Sequence, residues 1–130
     1  MSETEATRAV VERYAAAWAS GDLAGVADAY HEQIVLHWFG SHSLAGVHDS
    51  KAAALTALAG AARKARRTLV AVERILADGD RALLVARERF EREGRTADVT
   101  RLLYYRVEDG RLRECWVYDQ DQRLIDSFLA

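Results

Sequence analysis

Cysteine is almost absent. Cys115 is the single thiol in 130 residues, which excludes an intrachain disulfide and a cysteine-built zinc site. Lysine is scarce too: only Lys51 and Lys64 stand among the 18 basic residues, the rest being arginines. With so many alanines, that bias reads as genome composition rather than function. Nor is there an excess of one sign. Eighteen Lys and Arg face 20 Asp and Glu, a formal net charge of -2, so the one-sided charge that a phosphate backbone calls for is missing. No apolar run approaches the ~18 residues of a membrane span. The opening Met1-Ser2-Glu3-Thr4-Glu5 is acidic and polar, unlike the start of a secretory signal. These absences lead us to expect a soluble cytoplasmic protein with no nucleic-acid or membrane partner.

What is present suits a core. Half the residues are hydrophobic and 29% are charged, a globular balance, and the length predicts one domain over 1–130. Val10, Tyr14, Ala17 and Trp18 recur at helical spacing before Ser20-Gly21 stops the helix. Asp22 can cap a second, shorter helix with Leu23, Val26, Ala27 and Tyr30 on one face. Ile34 to Phe39 reads as a strand ending at Gly40, followed by a polar loop to about His48. From Asp49 the pattern Leu55, Leu58, Ala59, Ala62 predicts a third helix to about Ala65, and the basic run Arg63 to Arg67 is its solvated end. The period then changes to two. Asp78-Gly79, Glu93-Gly94 and Asp109-Gly110 are turn signals that divide the remainder into four antiparallel strands, about 68–77, 81–91, 95–107 and 111–119. Leu124, Ile125, Phe128 and Leu129 suggest a short terminal helix. The order predicts an α+β fold, a cone-shaped barrel in which a curved, mostly antiparallel sheet is covered by three N-terminal helices. Such a cone encloses a pocket.

The stretch VERYAAAWASGDLAGVADAYHEQIVLHWFGSHSLAG, residues 11–46, resembles the opening of the SnoaL-like polyketide cyclase and ketosteroid isomerase branch of the nuclear transport factor 2-like superfamily. The carrying features are a first-helix tyrosine, a Gly-Asp turn into a second helix, and a polar residue three before a glycine. The later meander and the strand Glu114 to Asp119 fit as well, so the resemblance covers nearly the whole chain. It implies that Tyr14 donates to a developing enolate oxygen and that His37 stands where the isomerases place a carboxylate base. A neutral imidazole, with a reference pKa of about 6.5, suits that task. Trp38 replaces the proline common after the base, and Leu103 replaces the second oxyanion donor, which speaks against standard steroid isomerisation.

Arg101 lies two residues before Leu103 and shares its face by strand alternation. In limonene-epoxide-hydrolase-like relatives an Arg-x-Asp pair occupies this strand, and here only the arginine remains. Cys115, Val117 and Asp119 share a face that the resemblance turns inward, with Asp119 as the acidic residue of the cavity and Asp121 as its substitute if the register differs. Each assignment has a plainer counterpart. His37 can be a strand-end histidine bonded to a backbone carbonyl, Tyr14 a core aromatic, and Asp119 a structural partner of Arg101. Trp18 and Trp38 read as lining residues for an apolar ligand, alongside Leu103, Cys115 and Val117. His42 and His48 follow His37 at spacings that match no zinc motif, so no metal is expected.

The leading expectation is a cofactor-independent isomerase or cyclase acting on an apolar cyclic or polyketide-like carbonyl compound. His37 is its base, Tyr14 its donor, Asp119 the orienting carboxylate and Arg101 an added positive charge. The alternative is a non-catalytic ligand-binding or dimerisation module of the same fold, and the third reading is an epoxide-hydrolase-like enzyme. Relatives pair through the open face of the sheet, and Leu83 and Val85 put apolar side chains on the face opposite Leu84 and Ala86, so a homodimer is expected.

Overall fold

Asp22 accepts a hydrogen bond from the Gly25 amide and Ser50 one from the Ala53 amide, and each thereby starts a helix where a polar cap precedes an apolar stripe. In the computed structural model, which describes Met1–Ala130, the N-terminal helices are α1 (Glu3–Ser20), α2 (Leu23–Ala29) and α3 (Lys51–Lys64). Gly21 ends α1 in the left-handed region at φ 72°, a conformation open to glycine because it has no Cβ. The strands are β1 (Tyr30–Trp38), β2 (Gly46–His48), β3 (Arg66–Asp78), β4 (Arg81–Arg92), β5 (Arg95–Glu108) and β6 (Arg111–Asp119), and α4 (Gln122–Phe128) closes the chain.

The strands form one open sheet in the order β2-β1-β6-β5-β4-β3. β1 runs parallel to β6, and every other pair is antiparallel. The three turn signals are the three hairpin connections of the meander. At Glu93-Gly94 and Asp109-Gly110 both central residues have positive φ, the backbone of the tight turn that matches strand twist. Two elements differ from the sequence expectation. β1 starts at Tyr30 rather than Ile34, because a register irregularity between Tyr30 and Val35 carries the exposed Glu32 and Gln33 through the strand and breaks its alternation. The sequence pattern reads β2 as loop, because its three residues carry too little pattern to announce a strand.

All four helices lie on one side of the sheet. Tyr14 on α1 meets Tyr105 of β5, Phe128 on α4 meets Phe90 of β4, and α3 packs on β1. Ala54, Ala57, Gly60 and Ala61 are buried on α3, so that helix can sit close to the sheet. Inward residues alternate strictly along the central strands: Ala82, Leu84, Ala86, Glu88 and Phe90 on β4, and Val99, Arg101, Leu103 and Tyr105 on β5 are all buried. Each large apolar side chain so removed from water contributes roughly 1.5–3 kcal/mol. The outer face has no helix on it.

Candidate functional site

The inward stripes of α1, α2 and α3 do not all reach the sheet. Between them and the inner faces of β1, β5 and β6 lies a cavity of about 550 Å³, open on one side, with 16 hydrophobic residues among the 18 that line it. That size suits a drug-sized organic molecule. Leu23, Val26 and Ala27 of α2 form one wall, Leu55, Leu58, Ala59 and Ala62 of α3 another, and Tyr14 and Trp18 of α1 a third. Ala59 and Ala62 leave space that larger side chains would occupy.

Seven of the nine residues singled out from sequence line this space: Tyr14, Trp18, Trp38, Arg101, Leu103, Cys115 and Val117. His37 and Asp119 do not. Leu36 and Trp38 point inward on β1, so His37 between them emerges on the outer face. Its Nε2 lies 2.7 Å from a Glu114 carboxylate oxygen, and its ring stacks on Trp116 at 5.0 Å. The expectation of an imidazole base inside the cavity is therefore corrected: strand alternation puts His37 on the other side of the sheet from Tyr14.

Asp119 is buried behind the cavity wall. It faces Arg101 across the β5–β6 pair and accepts hydrogen bonds from Arg101 Nε at 2.6 Å and Nη2 at 3.2 Å. Arg101 Nη1 donates to Glu88 at 2.8 Å. All three side chains are at least 96% buried, being 4%, 1% and 1% exposed. Burial pulls the Arg101 guanidinium down, but the two carboxylates outweigh it and hold its pKa above the ordinary value. The geometry joins one cation to two carboxylates, and only the cation reaches the cavity.

Apart from Arg67, the other polar groups on the wall are neutral. The rings of Tyr30 and Tyr105 lie 5.9 and 5.8 Å from that of Tyr14. Burial raises the pKa of Tyr14 and raises those of Tyr30 and Tyr105 well above 10, so all three remain phenols able to donate a hydrogen bond. Burial also pushes the Cys115 thiol up to about 12, which keeps it from acting as a thiolate nucleophile. Arg67 is the remaining charged group. It is half-buried, makes no ion pair or hydrogen bond, and its charge acts on the Tyr30 hydroxyl.

The loop histidines are structural. His42 Nδ1 accepts from the Leu44 amide at 3.2 Å, and the His48 ring bonds the Leu44 carbonyl at 2.8 Å, so the two hold the backbone of one residue from both sides. His31 approaches Glu108 and Asp109 closely enough to suggest a metal site. Its Nδ1, however, accepts from the Gln33 amide at 3.0 Å, so in the neutral ring the proton sits on Nε2, the atom facing the carboxylates. That leaves Nε2 no lone pair for a metal ion.

Sequence reasoning missed Glu88, Arg67, Tyr30 and Tyr105 as site residues. For Glu88 a signal existed: it falls in the inward phase of Ala82, Leu84, Ala86 and Phe90, where a charge announces a buried partner. Tyr105 follows Arg101 and Leu103 in the same phase, while the apolar spacing of Leu23, Val26 and Ala27 draws Tyr30 onto the second helix rather than β1.

An apolar cavity held between a curved sheet and its covering helices, with donors on its wall, defines an α+β cone with an enclosed pocket. The chain belongs to the SnoaL-like domain family, which matches residues 11–115, and its fold is that of the nuclear transport factor 2-like superfamily. A nuclear transport factor 2-like protein from Burkholderia xenovorans LB400 is 23% identical, with a TM-score of 0.79 over 98% of each chain. TerC, solved with polyporic acid, is 16% identical with a TM-score of 0.84 over 95% of this chain and 98% of that one. An LEH-like epoxide hydrolase from M. tuberculosis is 19% identical with a TM-score of 0.74, covering 98% and 91%. No curated protein matches the chain.

Proposed function

We propose that this protein binds an apolar small molecule bearing a hydrogen-bond-accepting oxygen in the cavity. The observation that carries this reading is an apolar wall ending in three phenols that stay protonated, a donor cluster placed where the body of a ligand would be dewatered. The similar TerC, co-crystallised with polyporic acid, supports it. No cofactor is called on. The test is fluorescence titration with the uncharged dye N-phenyl-1-naphthylamine. The wild-type chain is expected to bind it, Ala59→Trp to lose it by filling the space, and His37→Ala to bind as wild type does. Unaltered binding by Ala59→Trp would contradict the assignment.

The guanidinium shared by two carboxylates favours a second reading, turnover of the bound molecule by acid/base chemistry. Tyr14 then gives its proton to the reacting oxygen, while Asp119 and Glu88, behind the wall, hold Arg101 in place beside it. The similar epoxide hydrolase gives this reading support. On a panel of cyclic ketones and epoxides, Tyr14→Phe is expected to lower turnover by ~10²–10⁴-fold with dye binding retained, the usual contribution of a general acid or base. Equal rates remove the phenol from the chemistry.

The homodimer belongs to the same proposal. Across the helix-free face Leu76, Leu83, Tyr104, Trp116 and His37 follow one another from strand to strand, and Phe39 stacks on Tyr118 at 5.2 Å beside them. Phe39, Leu76 and Tyr118 are exposed. A second copy would cover this row by the same surface, as a two-fold contact requires.

A further inference from the structure

We infer that the ligand of the cavity is an anion: an apolar body carrying one acidic group, a carboxylate or its chemical equivalent, seated against Arg67. This deepens the cavity reading and rests on it. The argument is one of charge. Among the lining residues only Arg67 and Arg101 are cationic, and their situations are opposite. Arg101 is spent, its Nε, Nη1 and Nη2 all donating to Asp119 and Glu88, and with two carboxylates behind it that end of the wall repels a further anion. Arg67 has no carboxylate within ion-pair distance, although its neighbour Arg66 reaches Glu91 at 3.7 Å.

A half-buried guanidinium beside an apolar surface has lost part of its water and gained no partner, so an arriving anion restores what was lost. Arg67 also offers a planar fork suited to a carboxylate or sulfonate. Tyr30 lines the same cavity and adds a neutral donor to its wall. An uncharged ligand would fill the apolar part and leave the guanidinium as it is.

The test pairs two dyes that differ only by a sulfonate, 8-anilinonaphthalene-1-sulfonate and N-phenyl-1-naphthylamine, titrated against the full chain. For the sulfonate dye, Arg67→Gln is expected to weaken binding about tenfold to a hundredfold, the range of a charge-assisted hydrogen bond, and Arg67→Lys to recover part of it. The uncharged dye should bind wild type and Arg67→Gln alike. Ala59→Trp, or Leu58→Trp if that variant fails to fold, should abolish both. If the uncharged dye binds and Arg67→Gln leaves the sulfonate dye unchanged, or weakens both dyes equally, the anionic ligand is overturned while the cavity reading stands. If neither dye binds the wild-type chain, the cavity reading falls and this inference falls with it. Binding that survives both blocking variants places the dyes outside the cavity and overturns the assignment.

Discussion

Arg101 is held by two carboxylates that have no other cation within bonding distance, and its removal leaves them buried against each other. Arg101→Met is therefore expected to destabilise the fold by about 3–5 kcal/mol, as loss of one partner of a buried ion pair does. Equilibrium urea unfolding measures it, and a loss below about 1 kcal/mol would mean that water reaches the triad. Neutralising all three with Glu88→Gln, Arg101→Met and Asp119→Asn should recover much of the deficit, because no uncompensated charge then remains.

His42 is 7% exposed and its Nε2 lacks a partner. Burial holds its pKa below the ordinary 6.5. The folded chain thus takes up its proton at lower pH than the unfolded chain does. Between the two values the unfolded state holds more protons, so stability is complete above about 6.5 and falls as pH drops below it. His42→Asn, which can still accept from the Leu44 amide, should flatten that fall in thermal unfolding measured from pH 7 to pH 5. A slope unchanged from wild type would assign it to other groups.

At the scale of elements, the hairpins follow from their turn residues. Gly94 sits at φ 79° with nothing within 4 Å of an added Cβ, so Gly94→Ala meets only backbone strain. It should cost about 1–2 kcal/mol, visible in urea unfolding, without changing dye binding in the distant cavity. A larger loss would show that the β4–β5 turn carries more than its own geometry.

The turns, the cap of α2 and the meander were legible because each rests on local chemistry: Asp22 as a cap, Asp-Gly and Glu-Gly as turns. The cavity walls were half legible. The stripes Leu23, Val26, Ala27, Tyr30 and Leu55, Leu58, Ala59, Ala62 could be read as apolar faces, yet periodicity does not tell a packed face from one bordering empty space. All eight line the cavity. His37 shows the opposite failure. Ile34, Leu36 and Trp38 alternate as buried residues on β1, a pattern visible in the sequence that puts His37 outward. The resemblance to isomerases outweighed that pattern and pointed inward. Pairing of Glu88 with Arg101 needed the lateral register of β4 against β5, which no single strand encodes.

For the molecule as a whole, the sheet divides two roles. Its inner face holds the cavity and its ionic support. Its outer face holds the aromatic row, with His37 bonded to Glu114 and stacked on Trp116. If that row is where two copies meet, Trp116→Glu should shift the mass measured by size-exclusion chromatography with light scattering from dimer to monomer. A wild-type chain already monomeric at micromolar concentration would contradict the pairing. His37→Ala belongs with this face and should alter association more than ligand binding.

The central claim is that the cavity, rather than the histidine face, is where this protein meets its ligand. Native mass spectrometry of the chain purified from its own host, wild type beside Ala59→Trp, tests it most directly. A small organic molecule retained by the wild-type chain and missing from Ala59→Trp is the expected result. The same retained mass in both proteins would place the ligand elsewhere and contradict the account.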